Sequence, residues 1–107
     1  TGDVLVVEDD DATREMLLRT LEQAGWPARG AANGRLGMEA VADVAPALII
    51  LDLMMPELDG FGFLDELRAN AQWSAIPVVV VTAMDLRADE RARLNSSVQR
   101  VLQKGAY

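Results

Sequence analysis

The sequence predicts an α/β domain built on a parallel sheet with helices on both faces. Three observations lead there. Short, continuous, β-branched apolar runs recur along the chain, and a strand buried on both faces reads this way. Stretches with apolar residues at helical spacing separate them, and such alternation implies a parallel sheet covered by helices. The chain has 107 residues, half of them hydrophobic, which suits one folded domain.

Each element follows in order. Val4–Val7 is the first strand, and it stops at Glu8-Asp9-Asp10-Asp11. A helix follows with Leu17, Leu18, Leu21 and Ala24 as its apolar stripe, and Gly25 is placed to end it. Asp10 and Asp11 read as its N-cap and a first-turn charge. Trp26–Ala31 is a weak strand, interrupted by Pro27 and Gly30. Asn33-Gly34 reads as a turn. Arg35 to about Val44 forms a second helix with Leu36, Ala40 and Val41 facing inward. After Pro46, the run Ala47–Leu51 ends in Asp52. Met55-Pro56-Glu57-Leu58-Asp59-Gly60 is a loop, with Asp59-Gly60 serving as turn and cap. The third helix runs from Phe61 to about Ala69, with Phe61, Leu64 and Leu67 on one side. Pro77 precedes the strongest strand, Val78–Val81, which ends at Thr82. Ala88–Leu94 is a short helix, and Val98–Leu102 a last strand ending near Lys104. The pattern is β-α four times, then β. Crossovers between parallel strands are right-handed almost always, so the strands run one way.

Composition narrows the function. A net charge of −7 argues against nucleic-acid binding by this domain. No stretch has the length of a membrane span, and the N-terminus lacks a signal peptide's pattern. The absence of cysteine excludes disulfides and thiolate metal sites and fits a reducing, cytoplasmic setting. The chain also has no histidine. Its chemistry must therefore rest on carboxylates, hydroxyls, lysines and backbone.

In open parallel sheets, ligands sit beyond the carboxyl ends of the strands. There the first strand ends in Glu8, Asp9 and Asp10, the third in Asp52, the fourth in Thr82 and the fifth near Lys104. Clustered carboxylates repel, and a divalent cation relieves the repulsion. Hard oxygen ligands suit magnesium. A carboxylate can attack phosphorus to form an aspartyl phosphate, while metal, ammonium and hydroxyl bind the phosphoryl oxygens.

Here the sequence resembles the receiver domains of two-component response regulators. Val4-Leu5-Val6-Val7-Glu8-Asp9-Asp10, Leu51-Asp52-Leu53-Met54-Met55-Pro56-Glu57-Leu58-Asp59-Gly60, Val81-Thr82-Ala83 and Lys104 carry the resemblance, in order, over nearly the whole chain. It implies a flavodoxin-like three-layer sandwich with a five-stranded parallel sheet of order 2-1-3-4-5. It implies Asp52 as phosphoacceptor, Thr82 as switch hydroxyl and Lys104 as phosphate-binding lysine. The metal, Mg2+ or Mn2+, would be held by Asp9, Asp52 and the backbone carbonyl of Met54, with Glu8 acting through water. The phosphoryl donor would be a phosphohistidine on a histidine kinase or histidine phosphotransfer domain, and the module a switch, not a turnover enzyme. Met55 is expected to pack and Met54 to border the site.

The sequence departs from the family pattern in four places. Gly105 follows Lys104 where the family has a cis proline; a non-proline cis bond costs about 3–4 kcal/mol, so this loop is expected to be trans and differently shaped. Val101 stands where an aromatic rotor is usual, so the signal is expected to leave through Thr82–Leu86 and the short helix after it. Met54 and Met84 flank the phosphoryl position, and neither orients water well, which predicts a long-lived aspartyl phosphate. The family's fifth helix has no counterpart before Tyr107, so residues 1–107 read as a single, C-terminally truncated receiver with apolar sheet surface uncovered. The segment Asn95–Ala106 resembles receivers of hybrid sensor kinases, which suggests a fused kinase or output domain.

Three other functions fit less well. A phosphatase using Asp52 as nucleophile would place a second acid where Met54 stands. A silent scaffold would have no need of Glu8, Asp9, Asp52, Thr82 and Lys104 together. A nucleotide or flavin module would want a glycine-rich loop, not an acidic one, after the first strand.

Overall fold

The computed structural model describes residues 2–104. Its elements are β1 (Val4–Val7), α1 (Asp11–Gln23), β2 (Ala28–Ala31), α2 (Gly34–Asp43), β3 (Leu48–Leu51), α3 (Gly60–Ala69), β4 (Val78–Thr82), α4 (Ala88–Asn95) and β5 (Arg100–Gln103). All strand pairs are parallel, and the order is β2-β1-β3-β4-β5. The β-α alternation and the sheet order are those the sequence predicts. No helix among the described residues is long and apolar enough to cross a membrane.

The period of two along each strand sorts its side chains between two layers. Leu5, Val7, Ile49, Leu51, Val78 and Val80 face one side and pack with Met38 and Val41 of α2, Phe63, Leu64 and Leu67 of α3, and Leu94 of α4. Val6 and Gly30, paired in register, face the other side. A Cβ on Gly30 would meet Arg14 and Leu18, which places α1 there. The sheet is therefore the middle of three layers, with the larger core under α2, α3 and α4.

Local chemistry sets the helix ends. Asp10 caps α1, accepting from the Thr13 N–H at 2.8 Å. Gly25, just past the end of α1, takes φ 92°, a left-handed value that suits glycine. Asn33 is the N-cap of α2, accepting from Leu36 N–H at 2.8 Å, so Asn33-Gly34 starts a helix instead of making a free turn. Asp59 caps α3 through Gly62 N–H at 2.8 Å. The last strand starts at Arg100, because Val98 N–H still bonds the Leu94 carbonyl of the helix end.

Some packing differs from the simple pattern. Leu36 is 45% exposed, not inward. The buried stripe of α2 is Gly34, Gly37, Met38 and Val41. A Cβ on Gly37 would lie 2.9 Å from Phe63 and 3.1 Å from Val7. The helix presents its glycine edge to the sheet, and that close approach rotates Leu36 outward. The three leucines of the α1 stripe are only half-buried, and Ala24 is exposed at the C-cap.

Phe63 is a core residue that the helical spacing does not single out. It is fully buried, and it is the largest side chain so buried among the described residues. We expect Phe63→Ala to lower the unfolding free energy by about 3–5 kcal/mol, the range for deleting a buried ring and leaving a cavity. Urea denaturation followed by circular dichroism measures it. A loss under about 1 kcal/mol would mean the ring is not the centre of the core.

Candidate functional site

The parallel register delivers the site. Val7 of β1 pairs with Leu51 of β3, and Leu51 with Val80 of β4. The residues just past these partners therefore meet at one edge of the sheet. Glu8 and Asp52 leave their strands side by side, held by Glu8 N–H to Ala31 carbonyl (3.0 Å) and Asp52 N–H to Val7 carbonyl (3.0 Å). Asp9 follows at the start of the loop into α1 and is exposed. Thr82 ends β4 and Lys104 follows β5, its N–H bonding the Thr82 carbonyl at 2.8 Å.

Glu8, Asp9 and Asp52 each offer a carboxylate oxygen within 4.8 Å of the others. Glu8 is 2% exposed and Asp52 6%. Two nearly buried acids this close repel strongly, since water screens them little. Lys104 Nζ relieves part of this, donating to Glu8 Oε1 at 2.6 Å and to Asp52 Oδ2 at 3.4 Å. Burial pushes the Glu8 carboxyl up, partly offset by its bonds to Lys104 and the Asp10 N–H, and the charge of Asp52 adds to the rise. Burial alone would lower the Lys104 ammonium, but its bond to Glu8 and the charges of Asp52 and Glu8 outweigh that and hold it above its usual value.

Asp10 does not join the site. Its carboxylate is taken up by Thr13, which donates from both N–H (2.8 Å) and hydroxyl (2.5 Å) and holds its pKa down. Asp10 is thus a cap, as its place in the sequence predicts.

The other half of Asp52 meets backbone. Its Oδ1 accepts from Met54 N–H at 3.3 Å. The following loop turns sharply, with Leu58 N–H on the Pro56 carbonyl at 2.8 Å and Glu57 at φ 70° between them. A three-residue turn with positive φ is strained in a non-glycine residue, by roughly 1–3 kcal/mol. Gly60 then returns the chain to Asp52: its N–H bonds the Leu53 carbonyl at 3.0 Å. A Cβ there would stand 2.6 Å from both the Asp52 carbonyl and Leu53 Cα, so glycine is required. The sequence pattern marks Gly60 as part of a turn and cap; its close approach to the Asp52 backbone leaves no mark in that pattern.

Met54 is 57% exposed, and Met55 is half-buried against the core, as expected. Asp9, Leu53, Met54, Met55, Phe61 and Met84 line an open cleft of about 490 Å3 at the site. Thr82 is fully buried, and its hydroxyl accepts from Met84 N–H at 3.0 Å. Arg14, which the sequence reading did not single out, braces the first strand end by donating to the Glu8 carbonyl at 2.8 Å. Among the sequence-predicted residues, Glu8, Asp9, Asp52 and Lys104 come together directly. Met54 adjoins Asp52 through its N–H, and Thr82 joins through its carbonyl contact with Lys104. Gly105 lies outside the described residues, and so does the bond that joins it to Lys104.

The donor set tests the metal expectation. Three carboxylates converge, with neither histidine nor cysteine in the chain. Such a hard oxygen set fits Mg2+ or Mn2+ and disfavours softer ions. A lysine already bridges two of the acids, which shows the site's demand for positive charge.

Comparisons with known proteins show what the chain is similar to. A family model described as "Response regulator receiver domain" matches residues 4–106. The KDP operon transcriptional regulatory protein KdpE of Escherichia coli is 40% identical over 101 residues, covering 94% of this chain and 44% of that protein. Response regulator MprA of Mycolicibacterium vanbaalenii is 36% identical over 101 residues, 94% of this chain and 43% of that protein. The chain thus spans less than half the length of these curated relatives. Among solved structures, the N-terminal domain of a response regulator receiver protein from Methanoculleus marisnigri superposes with a TM-score of 0.90 at 28% identity, covering 98% of this chain and 85% of that one. The signal receiver domain of a histidine kinase from Syntrophus aciditrophicus gives 0.88 at 29% identity, over 100% and 81% of the two chains.

Proposed function

This chain belongs to the response regulator receiver domain family of two-component signalling, and on that premise we propose that Asp52 is its phosphoacceptor, served by Lys104, Thr82 and a divalent ion. One observation carries the assignment: of the two nearly buried carboxylates in the acidic cluster, Glu8 is held by Lys104 at 2.6 Å and by the Asp10 N–H, while Asp52, at the end of β3, meets the same lysine only at 3.4 Å.

The donor is a phosphohistidine on a histidine kinase or histidine phosphotransfer domain, since this chain has no histidine of its own. An Asp52 carboxylate oxygen attacks the phosphorus. The phosphorus–nitrogen bond breaks, and its electron pair leaves with the imidazole. Asp9, Asp52 and the Met54 carbonyl would hold Mg2+ or Mn2+, with Glu8 behind them. A bound divalent ion supplies charge neutralisation for the phosphoryl oxygens. Lys104 moves its ammonium from Glu8 and Asp52 onto one phosphoryl oxygen. Thr82 turns its hydroxyl toward another, which disturbs its bond with Met84 N–H.

That last step gives the signal a route. The segment Thr82–Leu86 leads into α4, whose one fully buried residue is Leu94 near its far end. A helix so lightly held at its start can shift with the loop before it. The methionines at the cleft, Met54 and Met84, present no group to orient water, which supports a long-lived acyl phosphate. Both a transcriptional regulator and a hybrid sensor kinase fit as the parent protein.

The test is incubation with acetyl phosphate and Mg2+, read by intact mass. We expect one phosphoryl adduct, released by hydroxylamine as an acyl phosphate is, and none when EDTA removes the metal. An unmodified protein in the presence of Mg2+ would overturn the proposal.

A further inference from the structure

Three hydrogen bonds close a circuit beside the acceptor. The Thr82 hydroxyl accepts from Met84 N–H at 3.0 Å. The Met84 carbonyl accepts from Gln103 Nε2 at 2.9 Å. Lys104, the next residue in the chain, returns its N–H to the Thr82 carbonyl at 2.8 Å. Gln103 is paired with Thr82 in the sheet register, so its side chain starts level with the hydroxyl it affects. It is exposed, and it adds nothing to the core. Its one described hydrogen bond from the side chain goes to Met84.

We infer that Gln103 is a positioning residue that straps the Met84 carbonyl and so holds the Thr82 hydroxyl in its resting place. The inference rests on the reading of Asp52 as acceptor. Met84 is tied on both sides of its α-carbon: its N–H occupies the Thr82 hydroxyl, and its carbonyl is occupied by Gln103. For the hydroxyl to turn toward a phosphoryl oxygen, the Met84 segment must give, and the strap resists. The carbonyl needs a donor, so the Gln103 amide must face it with nitrogen. A side chain that favours the resting arrangement lowers affinity for any ligand that selects the other one.

The experiment uses beryllofluoride with Mg2+, a phosphoryl mimic that needs no covalent chemistry, and the variant Gln103→Met. Methionine matches glutamine in length but brings neither donor nor charge. In the unliganded variant, the Met84 and Thr82 amide resonances should move toward their positions in the beryllofluoride-bound wild type. The beryllofluoride concentration for half-saturation should fall roughly three- to tenfold, the weight of one neutral hydrogen bond. The melting temperature of the unliganded variant should fall by about 2–10 °C, the weight of the same bond. Unmoved amides with unchanged half-saturation would overturn the strap, and so would weaker binding, which would show that Gln103 supports the bound form. If the wild type itself fails to bind beryllofluoride, the acceptor reading falls and this inference with it.

Discussion

Asp52→Asn should take up no phosphate from acetyl phosphate, yet melt at a higher temperature than the wild type. Both effects follow from one change. The amide keeps the shape of the carboxylate but has no anionic oxygen to attack phosphorus. Neighbouring acids are placed for other roles: Glu8 is bound to Lys104 and the Asp10 N–H, Asp10 caps α1 through Thr13, and Asp9 is exposed at the start of the loop into α1. The gain in stability comes from charge. Asp52 and Glu8 are both nearly buried within a three-acid cluster that one lysine only partly offsets. Neutralising Asp52 leaves Lys104 paired with Glu8 at 2.6 Å and removes the repulsion that helps to raise the Glu8 carboxyl. Mg2+ binding should weaken, because one of three carboxylates is lost. Intact mass, differential scanning calorimetry and Mg2+ titration read the three effects. An adduct surviving in the variant would place the acceptor elsewhere, and a lower melting temperature would contradict the repulsion argument.

The strand ends make the candidate site's convergence legible in the sequence. In a parallel sheet, the residues at and just past the strand ends gather at one edge, so Glu8, Asp9, Asp52, Thr82 and Lys104 follow from where the strands stop. The elements themselves were legible for the same reason, because buried strands and amphipathic helices have different periods. Contacts set by the absence of a side chain were not. Gly37 lets α2 sit against Phe63 and Val7, which turns Leu36 out. Gly60 lets α3 begin against the Asp52 backbone. A glycine in a sequence signals freedom, and nothing local says whether a turn, a cap or a close approach uses it. Side chains that reach a carbonyl in another loop, as Arg14 and Gln103 do, are equally hidden, because their partners are set by the fold.

Lys104→Met should separate metal binding from phosphorylation, moving them in opposite directions. In the resting site the ammonium sits where positive charge is most needed, 2.6 Å from Glu8 and 3.4 Å from Asp52. Its partners hold its pKa above the ordinary 10.5, so it is a cation throughout the physiological range. A divalent ion entering the cluster must share Asp52 with that ammonium. Methionine keeps much of the length of the side chain and removes the charge, so Mg2+ or Mn2+ should bind more tightly. The reaction needs the opposite. As charge builds on the phosphoryl oxygens, the wild type can move the ammonium onto one of them, and the variant cannot. Losing one such charged donor typically costs about 100- to 1000-fold in rate. The acetyl phosphate labelling rate at saturating Mg2+ should fall by that order, while calorimetric titration shows a smaller dissociation constant for the metal. An unchanged labelling rate would remove Lys104 from the chemistry. Weaker metal binding would mean that the ammonium organises the carboxylates for the ion instead of competing with it, and the resting contact with Glu8 would then be the feature to disrupt next.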